Sequence, residues 1–213
     1  MAISKNGPLG ATSGKIGNLV YYECMGQERV RTVGYNLHPP TTAQLASRAE
    51  ISVTSRFLKP ALEFINTGFA AKAAAELRLT YNLAMSYNKL NALTGVYPNC
   101  SIDYEKALLS QGDLQTAQNP SVALTANGLQ FSWFTAPDMA WPELSDQVML
   151  LAYFPGSRKV SFALYGPERI QGTAFLALGT PMLDQYMETY ISFISADRKQ
   201  VSDSVYTGSF NKI

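Results

Sequence analysis

Gly10-Ala11-Thr12-Ser13-Gly14-Lys15 has the make-up of a phosphate-binding loop, in which glycine amides cradle the anion and a lysine meets its charge. The spacing does not fit. The segment has one residue too few between its glycines, and Ile16 stands where a Ser or Thr should follow the lysine. His38 is the only histidine, so a Ser-His-Asp or Cys-His relay would have to run through it. It stands directly before Pro39-Pro40, with no partner in the sequence pattern. Cys24 and Cys100 lie far apart and, with one histidine, make no zinc cluster; both are expected as free thiols. Glu63, Glu76, Asp103 and Glu105 could supply the carboxylate pair of a glycosidase, but their settings read as solvated helix faces and caps. The residues therefore predict a protein that is not an enzyme and has no cofactor or metal site. Asn99-Cys100-Ser101 fits a glycosylation sequon. A tryptophan face can stack on sugars. Trp133 is expected in a core. Trp141, in the loop Pro137 to Glu143, is the candidate ligand-binding residue, with a glycan as the ligand.

Composition narrows the partners. The chain has 213 residues, enough for one large domain or two small ones. Charged residues are 15%, against about 25% in typical soluble domains, which suits a subunit with much of its surface in contact. Net charge is +1 and the pI about 7.7, so the basic face of a nucleic-acid binder is not expected. No apolar run is long enough to span a membrane. Met1 to Gly10 lacks the apolar stretch of a signal peptide. The reading is an extracellular assembly that leaves without a visible signal, with a cytoplasmic protein as the alternative.

The elements that must position these residues fall into three regions. Residues 1–37 are a glycine-rich arm followed by a β-hairpin over 16–33, with Cys24-Met25-Gly26-Gln27 as its turn. Residues 38–119 read as helical. Pro39-Pro40 favours extended backbone, and Thr41 or Thr42 then caps a helix. Leu45, Ala49, Val53 and Phe57 recur at spacing four and form its apolar face, with Arg48 and Arg56 pointing elsewhere. Pro60 should break it, and Gly68 is read as a stop. Residues 70–92 are expected as one further helix, and Asp103 to Leu109 as a short one.

Residues 120–213 carry seven strand-like runs: 122–125, 129–134, 147–154, 159–164, 169–178, 187–196 and 204–210. Turn signals such as Asn127-Gly128 and Pro155-Gly156 separate them. Seven short strands over this length predict a β-sandwich. Leu129-Gln130-Phe131-Ser132-Trp133 resembles the second strand of fibronectin type III modules, whose tryptophan fills the core, and Tyr190, Ile194 and Ala196 resemble a late strand of that module. The fold class expected is thus α+β, a hairpin and helical segment followed by an immunoglobulin-like β-sandwich.

A second resemblance runs along nearly the whole chain. Ile3 to Gly10, then Ser13-Gly14-Lys15-Ile16-Gly17-Asn18, Val20-Tyr21-Tyr22, Pro40-Thr41-Thr42-Ala43-Gln44-Leu45 and Gln147 to Tyr153 resemble an uncharacterised family of Bacteroidota. The resemblance implies no catalytic residues. An isolated hairpin is marginal in water and needs a sheet to join. The function expected is therefore a self-associating structural protein, a homo-oligomer or filament subunit. Its interface residues are Gly7, Gly10, Gly14, Lys15 and Gly17 in the arm. The alternative is a monomeric ligand-binding module.

Overall fold

The computed structural model describes residues 3–4, 12–35 and 38–212; for Ile3 and Ser4 only the strand pairing is described. The chain is mixed α+β. It divides into two compact units, Met1–Thr41 and Thr42–Ile213.

The first unit is an antiparallel meander in the order β1-β2-β3-β4, with β1 Ile3–Ser4, β2 Thr12–Ile16, β3 Leu19–Cys24 and β4 Gln27–Thr32. The expected hairpin is β3-β4. Its turn places Met25 at φ 55° and Gly26 at φ 71°, the geometry of a tight two-residue hairpin turn. The arm differs from expectation. Residues 12–16 form a strand paired with β3 through Gly14↔Tyr21, Lys15↔Val20 and Ile16↔Leu19. Sequence reading missed β2 because glycine and polar residues depress β-propensity, while pairing to a β-rich neighbour supplies the missing stability.

The second unit has three layers. Helices α1 Thr42–Leu58, α2 Leu62–Gly68, α3 Ala70–Glu76 and α4 Thr80–Asn91 form one, with a small pair β5 Leu93–Thr94 and β6 Ser101–Ile102. A four-stranded sheet follows in the order β10-β9-β12-β13 (Lys159–Ala163, Gln147–Phe154, Met187–Ile194, Val205–Phe210). A three-stranded sheet, β11-β8-β7 (Thr173–Ala177, Gly128–Ser132, Ser121–Thr125), completes it. A short helix α5, Thr180–Leu183, precedes β12.

Two cores meet at the four-stranded sheet. Leu129, Phe131 and Trp133 pack with Val148, Leu150, Phe154, Ile191 and Phe193 between the two sheets. Met149, Leu151, Tyr153, Tyr190 and Ile194 pack on the other face against Phe57, Leu58, Phe64, Ile65 and Phe69. Strands β9 and β12 are therefore covered on both faces. This accounts for the unbroken apolar run Val148 to Phe154, where a half-exposed strand would alternate. The helical and strand-rich segments, distinct along the chain, meet in the second of these cores.

Three local expectations change. Residues 70–92 are two helices. Leu77 takes φ 51°, and Arg78 N–H donates to the Ala73 carbonyl at 3.0 Å. This is a helix-ending motif in which leucine occupies the place usually given to glycine. Gly68 ends α2, but it is small for another reason: a Cβ there would lie 2.5 Å from Ser110 Cβ. Residues 103–109 are turns instead of a helix. The Asp103 carbonyl accepts Lys106 N–H, and Leu108 is held by a side chain of α4. That side chain is Asn88, wholly buried. It donates to the carbonyls of Ala84 (2.9 Å) and Leu108 (2.7 Å) and accepts from Leu108 N–H (2.9 Å). Asn88→Ala strands both backbone groups of Leu108, and urea unfolding should show a loss of about 2–3 kcal/mol. The α1 expectation holds in part: Phe57 is buried, Arg48 and Arg56 are exposed, and the helix ends before Pro60, but Leu45, Ala49 and Val53 are only half-buried, and the buried residues of the helix are Thr54, Phe57 and Leu58.

Candidate functional site

Three separate segments of the second unit converge on a cavity of about 550 Å³: residues 113–115, 141–146 and 195–200. Each is held by hydrogen bonds. Leu114 N–H donates to the Val201 carbonyl at 3.1 Å. The 3₁₀ turn Glu143–Ser145 is closed by Ser145 Oγ donating to Pro142 O at 2.7 Å. The turn after β12 is pinned by Ser195 Oγ donating to Asp197 Oδ1 at 2.7 Å, and Gln200 N–H donates back to Ser195 Oγ at 3.0 Å. The Ser195 hydroxyl, then the Lys199 amide, hold the Asp197 carboxyl below the usual carboxylate range.

Behind the cavity lies a buried ion pair. Arg169 Nη2 is 3.0 Å from Asp146 Oδ2, and both side chains are almost fully buried. The guanidinium also donates to Gln115 O at 2.8 Å, lies 3.4 Å from Glu143 Oε1, and stacks 3.9 Å from the Phe193 ring centre. Asp146 Oδ2 receives no directed hydrogen bond, and Arg169 Nε makes none. Burial pushes the Asp146 carboxyl up, with Arg169 drawing it only partly back; burial likewise pulls Arg169 down. A second cavity of about 300 Å³ shares Gln115 and Glu143 and reaches Arg169.

The two tryptophans part as expected. Trp133 is 6% exposed and donates its indole N–H to Arg169 O at 2.8 Å. Trp141 is 77% exposed on the cavity wall. Glu63 and Glu105 are exposed, Glu76 pairs with Lys72 and Arg78, and Asp103 pairs with Lys106. Cys24 and Cys100 carry no disulfide. Among the described residues no helix is long and apolar enough to cross a membrane. Sequence reading missed Asp113, Gln115, Asp146, Arg169 and Gln200. Asp146 and Arg169 stand at the starts of predicted strands, a place they share with many surface residues, and Asp113, Gln115 and Gln200 carry no local signal.

A further polar cluster binds the helical face of the sheet. Glu188 is buried and accepts hydrogen bonds from the hydroxyls of Tyr186 and Tyr206, the latter at 2.6 Å. Tyr190 donates to Tyr104 O at 2.8 Å. Burial, then the negative field of Tyr153 and Glu188, pushes Tyr104 up to about 12. Burial and the Glu188 bond push Tyr206 up to about 12, and burial raises Tyr190 well above its ordinary value. Each folded-state pKa lies above the unfolded value of about 10. The stabilising contribution is therefore whole below about pH 10 and is lost as pH rises through about 12. An alkaline titration followed by phenolate absorbance and circular dichroism should show these tyrosines ionising together with unfolding, after the exposed ones.

Of the expected interface residues, Gly7 and Gly10 lie outside the described residues. Gly14 (φ 114°) and Lys15 sit in β2, and Gly17 (φ 56°) opens the β2-β3 turn. Register and pleat assign the faces of this sheet, since paired residues share a face and neighbours alternate. One face carries Ile16, Leu19, Tyr21 and Val30, with the paired Glu23 and Glu28 beside the β3-β4 turn; the other carries Lys15, Arg29 and Arg31 with Val20 and Tyr22. Ile16 is 51% and Val30 53% exposed, and none of residues 12–35 is buried. Among known proteins, the model of the family of unknown function DUF6266 matches residues 11–208. No curated protein matches the chain.

Proposed function

The chain belongs to that family of unknown function, and we propose that it is a non-enzymatic structural protein that self-associates through its N-terminal sheet. The observation that carries this reading is the uncovered apolar face of Ile16, Leu19, Tyr21 and Val30 on a sheet with no buried residue among 12–35. A sheet of this size gains independent stability only when one face is shielded from water. The occupant with the matching shape and chemistry is the same face of a second copy. The opposite face carries Lys15, Arg29 and Arg31 across its middle, whereas the Glu23 and Glu28 pair of the apolar face lies at its end, beside the β3-β4 turn. Gly14, opposite Tyr21, leaves that ring free for contact, and Gly17 allows the turn that brings Ile16 beside Leu19.

Face-to-face pairing closes a dimer. Growth into a filament needs a second contact, and the outer edge of β4 supplies one: its six residues are all exposed and it ends the sheet. An exposed edge accepts a further strand through main-chain hydrogen bonds. The same reading takes residues 120–213 as a fibronectin type III-like sandwich displayed by the assembly. The strand orders β11-β8-β7 and β10-β9-β12-β13, and the tryptophan directly after β8, support it.

Light scattering coupled to size exclusion tests the proposal. The full chain should associate across about a hundredfold range of concentration. Val30→Asp should weaken association by about tenfold or more with an unchanged thermal transition of the second unit. A full-length chain that stays monomeric throughout, or a Val30→Asp variant that associates like the parent, would remove the reading.

A further inference from the structure

We infer that the cavity walled by Trp141 binds a neutral saccharide. Its size of about 550 Å³ lies within the roughly 300–1,000 Å³ of small-ligand pockets. Trp141 keeps 77% of its surface in water, beside that cavity and not in either core. An indole face is electron-rich, and it suits the weakly positive C–H face of a sugar ring.

The polar groups agree with this occupant. The side chains of Asp113, Gln115 and Gln200 make no hydrogen bond among the described residues, although all three line the cavity. An amide offers donors and acceptors and a carboxylate offers acceptors only. Together they match hydroxyls, each of which both donates and accepts. Charge excludes the competing class. Asp113, Glu143, Asp146 and Asp197 face Lys199 as the cavity's one lining cation, and the Arg169 behind them is already committed to Asp146 and Glu143. Phosphates and acidic sugars would be repelled. The walls are also fixed before any ligand arrives: the Ser195–Gln200 turn is internally hydrogen-bonded, and the Arg169 pair holds the 141–146 segment. A preformed site loses little affinity to ordering. This inference does not depend on self-association, because every lining residue belongs to the second unit.

The test is tryptophan fluorescence and calorimetry of the full chain against chitohexaose, cellohexaose and mannohexaose, with hexalysine as the cationic control. Saturable binding of at least one of the three sugars is expected. Trp141→Ala should weaken it about tenfold or more, and Trp141→Phe should retain most of it. Gln115→Ala with Gln200→Ala should weaken it while leaving the thermal transition unchanged. Three results would each overturn the inference: no binding of any of these sugars, binding that Trp141→Ala leaves intact, or saturable binding of hexalysine alone.

Discussion

Trp133→Ala should lower the unfolding free energy by about 3–5 kcal/mol, the range for removing a large buried aromatic. Trp133 follows β8 with 6% of its surface exposed. Its ring meets Phe193 edge-on at 5.4 Å, and its indole N–H donates to the Arg169 carbonyl at 2.8 Å. Truncation removes the packing on both sheets and takes from that carbonyl the shorter of its two donors, leaving Gly172 N–H at 3.2 Å. The cavity also opens next to Arg169, whose guanidinium stacks on the same Phe193, so collapse of the site would disturb the buried pair. Trp133→Phe restores packing without the donor and should cost less than half as much. The exposed Trp141→Ala should change stability by no more than about 0.5 kcal/mol. Chemical denaturation of the three variants separates these outcomes. A loss below about 1 kcal/mol for Trp133→Ala would mean that the two-sheet core does not depend on it.

Asp146→Ala should cost roughly 3 kcal/mol, the lower end for breaking a buried ion pair. The lower end applies because Glu143 remains 3.4 Å from the Arg169 guanidinium. The raised Asp146 and lowered Arg169 pKa values both carry the sign of charges that resist burial. For Asp146 the folded pKa lies above the unfolded one, so its contribution is whole below about pH 4 and is lost as pH rises through the folded value. The pair is therefore held for geometry more than for net stability: it ties the 141–146 segment to Gln115 and to the turn before β11. Removing one member strands the other, whereas Asp146→Ala combined with Arg169→Met removes both charges. The double variant should fall short of the sum of its singles by about 1 kcal/mol or more. Strict additivity in urea unfolding would show that the two groups are not coupled.

Much of the second unit was legible because its signals are local. Asn127-Gly128 and Pro155-Gly156 mark turns, the runs between them have strand lengths, and alternation around Phe131 placed Trp133 inward. Phe57 marked the buried end of α1 and Pro60 its stop, whereas Leu45 and Val53 at the same spacing are only half-buried and Thr54 takes an inner place. Other features depended on partners distant in sequence. Residues 103–109 look helical in isolation, yet Asn88 and Ser204 hold the backbone of Leu108 and Leu109 in another shape. Leu77 ends α3 without the glycine that usually announces such an ending. Gly14 hid a strand that its pairing with neighbouring strands stabilises.

The sequence by itself determined the class of elements, the burial of Trp133 and the exposure of Trp141, since period and turn chemistry act over a few residues. Only the tertiary structure decided that helices cover the second face of the central sheet, although the unbroken run Val148 to Phe154 is its trace in the sequence. It also decided the cavity. Asp113, Trp141, Asp146 and Gln200 sit in three loops whose convergence depends on strand order, and strand order is set by which apolar faces find cover, a long-range property that no local pattern encodes.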